Sequence, residues 1–157
     1  MPTLRSAALE FLSGRRVAVV GVSRRPDRAA NAIYRKLRAE GYEVYAVNPN
    51  AETLEGDRAY PSLRAVPARL DGVVVVTRPE VAAAVARECA DLGVPRLWMH
   101  GQPGSSVGSV SDEALEVCRA GGVAAIPGGC PRMFCARADL GHRVIGWFAG
   151  RREVPGA

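Results

Sequence analysis

The sequence predicts an α/β fold in three layers, with a mostly parallel sheet of about five strands and helices on both of its faces. Two observations carry this prediction. Short, continuous apolar runs alternate along the chain with segments of helical periodicity, and the runs lack the polar alternation of strands with one wet face. Alternating strands and helices of this kind build parallel sheets through right-handed crossovers. We therefore expect a single Rossmann-like domain.

Five apolar runs have the length of buried strands. The first ends at Gly21 and the second at Asn48-Pro49-Asn50, residue types that favour turns. A further short strand is expected over Gly56 to Tyr60. The five runs are Val17–Val20, Tyr42–Val47, Gly72–Val76, Leu97–Met99 and Val123–Ile126.

The helix after the first strand has apolar positions at helical spacing from Ala30 to Leu37. Asp27 precedes it as the expected N-cap, because a carboxylate there can accept from the free N–H groups of the first turn. Gly41 is expected to end this helix, as glycine commonly does. Another short amphipathic helix is expected from Met1 to Gly14.

Two later helices are bounded by residues that favour helix ends. Pro79 opens a long helix rich in alanine and valine that runs to about Leu92, and proline is favourable in a first helical turn. Ser109 and Asp112 resemble a capping box before a helix that ends near Gly121-Gly122.

The 157 residues are expected to form one domain, because this length suffices for one buried core and the chain contains no low-complexity linker. The core is expected over 15–135. Residues 136–157 form a tail whose apolar Ile145-Gly-Trp-Phe148 is expected to pack back on the domain. Pairing with a second copy into a homo-oligomer stays open.

The charge pattern favours a small anionic ligand. The net charge is +5, and 20 of the 21 basic residues are arginines, whose planar forks match phosphate oxygens. A GC-rich genome is the alternative explanation of this arginine content. The arginines are scattered and aromatic residues make up only 6%, so a nucleic-acid partner is not expected.

The sequence does not suggest a membrane partner. No apolar run approaches the roughly 20 residues that span a bilayer. The N-terminal segment carries Glu10 and has no uninterrupted apolar stretch, so it does not resemble a signal peptide. We therefore expect a cytoplasmic protein.

The turn after the first strand, Gly21 to Arg28, is the strongest candidate for a ligand site. In an open parallel sheet, ligands bind beyond the carboxyl ends of the strands, where this turn lies. A glycine allows the backbone to approach closely, and free N–H groups at the start of the next helix attract anions. An ordinary strand-to-helix turn with solvated arginines is the alternative. The phosphate-binding residues would be Gly21, Val22, Ser23, Arg24, Arg25 and Arg28.

The turn differs from the dinucleotide fingerprint G-x-G-x-x-G, and so does the end of the second strand. In dinucleotide folds that strand normally ends in an acidic residue that binds the ribose hydroxyls, whereas Asn48 followed by Pro49 stands here. NAD is therefore disfavoured. A ligand with an extra phosphate near its ribose, such as coenzyme A or NADP, is tolerated better because no carboxylate would repel it.

The turn belongs to an ordered set of residues that runs through most of the predicted fold. The set comprises Val17-Ala-Val-Val-Gly-Val-Ser23, Pro26, Arg28, Gly41-Tyr42, Val47-Asn-Pro49, Gly56, Tyr60, Ser62-Leu63, Pro67, Asp71, Arg78-Pro79-Glu80, Trp98 and Gly129-Cys-Pro131. In this order the residues resemble the small, single-domain CoA-binding proteins, and the domain is similar to the CoA-binding portion of the succinyl-CoA synthetase α subunit. The resemblance covers about Val17 to Met133.

The resemblance implies coenzyme A, or an acyl-CoA, as the ligand, with its phosphates at the Gly21–Arg28 turn. Asn48 and Pro49 would border the adenosine end. The other contacts that the resemblance implies are Thr77, Arg78 and Pro79 along the nucleotide or pantetheine path, Trp98, His100 and Gly101 at the crevice floor, and Cys130 on the far rim.

The family commonly has a glutamine near His100, and this sequence departs from the family in the loop from Gly101 to Gly108, which is longer and rich in glycine and serine. The resemblance does not extend to the ligase segment that carries the phosphorylated histidine of the synthetase. No nucleophile with a base and no pair of carboxylates is evident, so we expect a non-catalytic binding protein. The alternatives are a small NADP-dependent oxidoreductase and a regulatory protein-interaction module on the same fold.

The four cysteines are expected to be free thiols, and no metal is expected. Cys89 and Cys118 fall in helical patterns, and Cys130 and Cys135 have no histidine at zinc-ligand spacing. Cys130 follows Pro127-Gly-Gly129, where the start of a short helix would lower the pKa of its thiol. A mixed disulfide between Cys130 and coenzyme A is one hypothesis, and a buried structural cysteine is the alternative.

Overall fold

The computed structural model describes residues 2–102, 108–135 and 153–154. None of the helices in these residues is long and apolar enough to cross a membrane. The α-helices are α1 (Leu4–Leu12), α2 (Ala29–Ala39), α3 (Pro79–Leu92) and α4 (Asp112–Gly121). The strands are β1 (Arg16–Val20), β2 (Glu43–Val47), β3 (Thr53–Leu54), β4 (Asp57–Tyr60), β5 (Gly72–Val75), β6 (Arg96–Met99) and β7 (Ala124–Pro127).

The strands form one sheet with the order β3-β4-β2-β1-β5-β6-β7. Every pairing is parallel except that of β3 with β4, which is an antiparallel hairpin. The predicted parallel sheet is confirmed, and the five apolar runs are β1, β2, β5, β6 and β7. The short strand expected near Tyr60 is β4. Strand β3 is not predicted, because two residues show no periodicity.

Each face of the sheet is covered by a pair of helices. Val17 and Val19 of β1 face the core under α1 and α2, whereas Ala18 and Val20 face the core under α3 and α4. All four side chains are buried, as a sheet between two helix layers requires. The three-layer, Rossmann-like arrangement expected from the sequence is confirmed. The tail segment Ile145–Phe148 lies outside the described residues.

Trp98 lies in the core and not at the crevice floor, where the family resemblance places it. Its side chain is fully buried, and its ring meets that of Phe11 edge-on with the centroids 5.4 Å apart. Its Nε1 donates to the carbonyl oxygen of Gly128 over 2.9 Å. A buried indole N–H needs such a partner. Trp98 therefore fixes the chain after β7 and offers no surface to a ligand.

Helix α2 begins one residue later than the predicted N-cap, Asp27, implies. Arg28 occupies the N-cap position with extended backbone (φ −77°, ψ 151°), and Asp27 pairs with Arg25 at 3.6 Å. The prediction of Asp27 as the N-cap is therefore wrong, because the turn continues for one residue beyond it. Gly41 follows the end of α2 with a φ of 91°, which confirms the predicted end.

Ser111, and not Ser109, caps α4. The Ser111 hydroxyl accepts from the backbone N–H of Ala114 over 3.2 Å. The predicted capping box from Ser109 to Asp112 is therefore wrong. Ser109 is only 1% exposed, and its hydroxyl binds the backbone of another loop, so it cannot reach the start of α4.

Asp71 joins the amino ends of β1 and β5. Its Oδ2 accepts from the backbone N–H groups of Arg16 and Arg15, both over 2.9 Å. The N–H of Asp71 in turn donates to the carbonyl oxygen of Arg16 over 2.8 Å. The two bonds to the carboxylate, that of Arg16 first, lower the pKa of Asp71 because they stabilise its charged form. Asp71 is structural and lies at the amino ends of the strands, away from the crevice at their carboxyl ends.

Asp71→Asn should destabilise the protein at neutral pH, and by progressively less as the pH falls below the unfolded pKa of about 3.9. A carboxyl group whose pKa is lowered in the folded state stabilises it above the unfolded pKa of about 3.9, and this contribution disappears as the pH falls through the folded value. Thermal unfolding of both proteins between about pH 2 and 7 tests the sign. The difference in Tm, a few degrees at neutral pH, should shrink on acidification, and a constant difference would contradict the assignment.

Candidate functional site

The carboxyl ends of β1 and β5 form the switch point of the sheet. From β1 the chain crosses through α2 to β2 on one side, and it later returns to β5 on the other side, from which α3 leads on to β6. Because α2 and α3 cover opposite faces, the loops after β1 and β5 diverge and leave a crevice between them. Ligands of open α/β sheets bind at such a point.

The two helices that start at this crevice have no side-chain caps among the described residues. The N-cap residues of α2 and α3, Arg28 and Arg78, make no capping hydrogen bond, whereas Thr3 caps α1 and Ser111 caps α4. Uncapped N–H groups at the start of a helix carry partial positive charge. The crevice therefore presents two helix N-termini to an anion.

Gly21 is required by the packing of the strands themselves. Its φ is 111°, and a Cβ atom at this position would lie 2.2 Å from the carbonyl oxygen of Val76. The N–H of Gly21 donates to the carbonyl oxygen of Val47, and the N–H of Val76 donates to that of Val20. The close approach expected at Gly21 is thus made by the backbone of the protein, at the base of the crevice.

The first half of the predicted phosphate turn is held by side-chain amides. Asn31 Oδ1 accepts from the N–H of Ser23 over 3.0 Å, and Asn31 Nδ2 donates to the carbonyl oxygen of Ser23 over 2.7 Å. The carbonyl oxygen of the buried Val22 accepts from Asn48 Nδ2 over 2.8 Å. The Ser23 hydroxyl accepts from the N–H of Arg25 over 3.2 Å. These bonds fix the turn before any ligand arrives.

The three arginines of the turn precede α2 in the chain and are exposed. Arg24 Nη2 donates to the carbonyl oxygen of Asn50 over 3.0 Å, which draws it toward the end of β2. Arg25 pairs with Asp27, and Arg28 is the N-cap residue itself. Exposed charges of this kind attract an anionic ligand over about a Debye length, roughly 8 Å in physiological salt.

Pro49 borders a cleft of about 1050 Å³ beyond the carboxyl end of β2. Asn48 shapes the loop beside it, because its Oδ1 accepts from the N–H of Asn50 over 2.8 Å. Glu52 and Asp57 also line the cleft, together with arginines. The residue directly after β2 is thus Asn48, as the sequence argument requires, but the absence of carboxylates does not hold for the cleft as a whole. The fold of the β3–β4 hairpin over the end of β2, which brings these acids in, leaves no periodic signal in the sequence.

Thr77, Arg78 and Pro79 connect β5 to α3 at the opposite wall of the crevice. The N–H of Thr77 donates to Ser109 Oγ over 2.8 Å, and Ser109 Oγ donates to the carbonyl oxygen of Thr77 over 2.7 Å. Thr77 Oγ1 donates to the carbonyl oxygen of Arg78 over 3.1 Å. Pro79 is the first residue of α3, as predicted. Ser109 was outside the predicted site, because its spacing from Asp112 suggests a cap.

His100 and Gly101 continue β6 at the edge of the crevice. The carbonyl oxygen of His100 accepts from the N–H of Ser109 over 2.8 Å, and Gly101 forms a backbone bridge with Gly108. The ends of the longer loop are therefore brought back together beside the site. Residues 103–107 lie outside the described residues.

Cys130 is buried, with 6% of its surface exposed, and it precedes a 3₁₀ turn at Pro131–Met133. The short helix expected there is this single 3₁₀ turn, with Cys130 as its N-cap residue, and it has too few residues to build up a helix dipole. Burial raises the pKa of the Cys118 and Cys135 thiols to about 11 and also raises that of Cys89. The described residues contain no group of three or more His, Cys, Asp or Glu that could hold a metal ion.

A second cleft, of about 570 Å³, lies at the amino end of the sheet. Its walls include Leu12, the last residue of α1, and Gly41, just beyond the end of α2. The C-terminus of a helix carries partial negative charge and disfavours a phosphate. The helix C-termini therefore make this cleft less favourable for an anion than the crevice at the carboxyl ends of the strands, although Arg15 also lines it.

The domain has three layers, a mostly parallel sheet between two layers of helices, and two uncapped helix N-termini lie at the switch point of the sheet. This is the arrangement of a Rossmann-type α/β domain. Residues 15–135 match the sequence profile of the family described as CoA binding domain. The chain belongs to this family. The resemblance drawn from the ordered residues of the sequence is thereby confirmed.

Three known proteins are similar to this chain, two of them in sequence and one in fold. The uncharacterized protein YneT of Bacillus subtilis is 32% identical over 105 residues, which cover 67% of this chain and 73% of YneT. The alpha subunit of ADP-forming acetate–CoA ligase II of Pyrococcus furiosus is 25% identical over 140 residues, which cover 86% of this chain and 31% of the subunit. A hypothetical protein of Pyrococcus horikoshii OT3 has the same fold, with a TM-score of 0.74 and 24% identity over 83% of this chain and 91% of its own.

Gly21→Ala should destabilise the domain by about 2–5 kcal/mol without any ligand. A left-handed backbone costs a residue with a Cβ atom about 1–2 kcal/mol, and overpacking against Val76 adds about 1–3 kcal/mol. Urea denaturation measures the loss. Gly41→Ala is the matched control, because Gly41 also has a positive φ but nothing lies within 4 Å of its Cβ position. An equal loss in both variants would contradict the role given to the Val76 contact.

Proposed function

We propose that this protein binds coenzyme A, or an acyl-CoA, in the crevice between the loops after β1 and β5. The observation that carries the proposal is the pair of uncapped N-termini, those of α2 and α3, at the switch point of a domain from a CoA-binding family. A diphosphate has the charge and the acceptor oxygens that such N-termini attract. The Gly21–Arg28 turn adds the Ser23 hydroxyl and three exposed arginines.

The rest of the ligand would extend to both sides of this phosphate site. The adenosine end would enter the cleft beyond β2, where Pro49 and Arg24 form part of the wall. The pantetheine arm would follow the loop from Thr77 to Pro79 toward Gly101 and the rim at Cys130. The crevice thus offers several charges at the nucleotide end, whereas Arg78 is the charged side chain on the loop that the arm would follow.

The proposal is for binding without catalysis. Chemistry on an acyl-CoA needs a nucleophile with a base or an equivalent pair of groups. Cys130 is buried, and the raised pKa values of Cys118 and Cys135 keep those thiols protonated near neutral pH. Burial of Cys130 also favours its structural role over a mixed disulfide with coenzyme A.

A cytoplasmic location, pairing with a second copy and the lack of nucleic-acid or membrane partners stay predictions from the sequence.

Coenzyme A and acetyl-CoA should raise the Tm of the protein in a concentration-dependent way, whereas NAD should not. A ligand that binds the native state stabilises it by about 2.7 kcal/mol at a hundred times its Kd, which corresponds to roughly 5–11 °C for a protein of this size. Thermal-shift titration with coenzyme A, acetyl-CoA, NADP and NAD tests this. A shift with NADP alone would favour an oxidoreductase, and no shift with any of the four would favour an interaction module.

Ser23→Asp combined with Arg28→Glu should weaken coenzyme A binding by more than about tenfold, because it places two negative charges at the phosphate site. The fold should persist, since an Asp at position 23 can still accept from the N–H of Arg25. Isothermal titration calorimetry measures the Kd. Arg69→Glu is the matched control, because Arg69 is exposed and precedes β5, at the amino ends of the strands and away from the crevice. Equal affinity in the double variant and the wild type would place the phosphates elsewhere.

A further inference from the structure

Two buried polar side chains hold the two loops of the crevice. Asn31 and Ser109 are the buried polar residues within the described part of the chain, each 1% exposed. Each binds both the N–H and the carbonyl oxygen of a single crevice residue: Asn31 binds Ser23 after β1, and Ser109 binds Thr77 after β5. The two loops lie on either side of the switch point, so the pattern is the same at both walls.

Asn31 uses its whole amide in this role. Its Oδ1 accepts from Ser23 over 3.0 Å, and its Nδ2 donates both to the carbonyl oxygen of Ser23 over 2.7 Å and to Glu55 Oε1 over 2.6 Å. A side-chain amide has two donor hydrogens, and both have partners here. The orientation of Asn31 is therefore determined, and with it the orientation of the Ser23 peptide groups.

Glu55 is itself fixed in the turn between β3 and β4. Its φ is 53°, a left-handed conformation that is uncommon for a residue with a side chain. Arg35 Nη1 donates to the Glu55 carboxylate over 2.7 Å, and Arg38 Nη1 donates to its carbonyl oxygen over 2.9 Å. Both arginines belong to α2, as does Asn31. The hairpin is thus anchored to the helix that orients the phosphate turn.

Ser109 has an equally determined position. Its N–H donates to the carbonyl oxygen of His100 over 2.8 Å, which places it beside the end of β6. Gly108, with a φ of 145°, lets the chain approach Gly101 so closely that a Cβ atom would lie 2.7 Å from the Gly101 Cα. The serine hydroxyl then reaches the Thr77 peptide groups, where it accepts one hydrogen bond and donates another.

We propose that Asn31 and Ser109 are paired positioning residues, which hold the loops after β1 and β5 in the conformation that binds coenzyme A. The inference rests on the proposed function. Both residues bind backbone and neither is exposed, so they act through Ser23 and Thr77. A ligand that meets loops already ordered does not lose affinity to their ordering. Their bonds also occupy the N–H groups of Ser23 and Thr77, so the phosphates are left to the side chains and the helix N-termini.

Ser109→Ala and Asn31→Ala should each weaken coenzyme A binding by about tenfold, the factor expected when the ligand has to order a loop residue as it binds. The Kd is measured by calorimetry at a temperature where every variant is folded. Hydrogen exchange without ligand reports on the loops directly: the Ser23 amide should lose protection in Asn31→Ala, and the Thr77 amide should lose it in Ser109→Ala. Ser109→Ala removes one oxygen atom, so it keeps the test decisive should Asn31→Ala not fold.

Two control variants separate positioning from stability. Ser111→Ala removes the cap of α4 two residues from Ser109, and Tyr42→Phe removes the hydrogen bond from Tyr42 Oη to the carbonyl oxygen of Leu12 at the amino ends of the strands, away from the crevice. Both should lower the Tm and leave the Kd unchanged. If Ser109→Ala and Asn31→Ala bind as tightly as the wild type, or the controls weaken binding as much, the inference is overturned. If the wild type itself binds no coenzyme A, the proposed function fails, and this inference fails with it.

Discussion

The contact between Gly21 and the Val76 carbonyl oxygen is the constraint on which the rest of this structure depends. It lets β1 and β5 stay side by side to their carboxyl ends, while the chain leaves them toward opposite faces of the sheet. A side chain at position 21 would push the two strands apart where α2 and α3 begin. The N-termini of α2 and α3 would then lie farther from each other across the switch point. The crevice therefore depends on a backbone contact that has no room for one Cβ atom.

Polar groups around the crevice serve two separate purposes. Asn31 and Ser109 are buried, and hydrogen bonds at such sites are expensive to leave unmade, so they determine geometry. The arginines of the Gly21–Arg28 turn are exposed, where water and salt weaken each contact but leave a field that attracts an anion. A binding site of this kind obtains its shape from buried groups, here Asn31 and Ser109, that the ligand does not contact. Its charge comes from groups that contribute little to the fold.

The apolar runs were enough to predict the layers and the strand ends, because a buried parallel strand has no wet face to interrupt it. Pro79 likewise predicted the start of α3. The two serines near α4 show where such rules stop. Ser109 and Ser111 both precede an acidic residue and a helix, and only the position of Thr77 in space decides which of them is free to cap. Spacing along the chain does not contain that information.

The parts of the site that the sequence did not reveal share this cause. Asn31 stands on the buried side of an amphipathic helix, where a polar residue looks like an interruption of the pattern until the Ser23 peptide lies opposite it. Trp98 was assigned to the crevice through its family position, although its ring packs under α1. The acids of the cleft beyond β2 arrive with a hairpin whose outer strand has two residues. In each case the partner is distant in sequence.

That two-residue strand has a consequence for how the protein behaves among other copies of itself. A sheet edge with a long row of unpaired N–H and carbonyl groups is a template for further strands and so for aggregation. Strand β3 forms this edge with only Thr53 and Leu54, and Leu54 is buried. The neighbouring turn is tied back to α2 by charged side chains. This edge of the sheet is therefore short and flanked by charged side chains, and it offers an incoming strand few unpaired backbone groups.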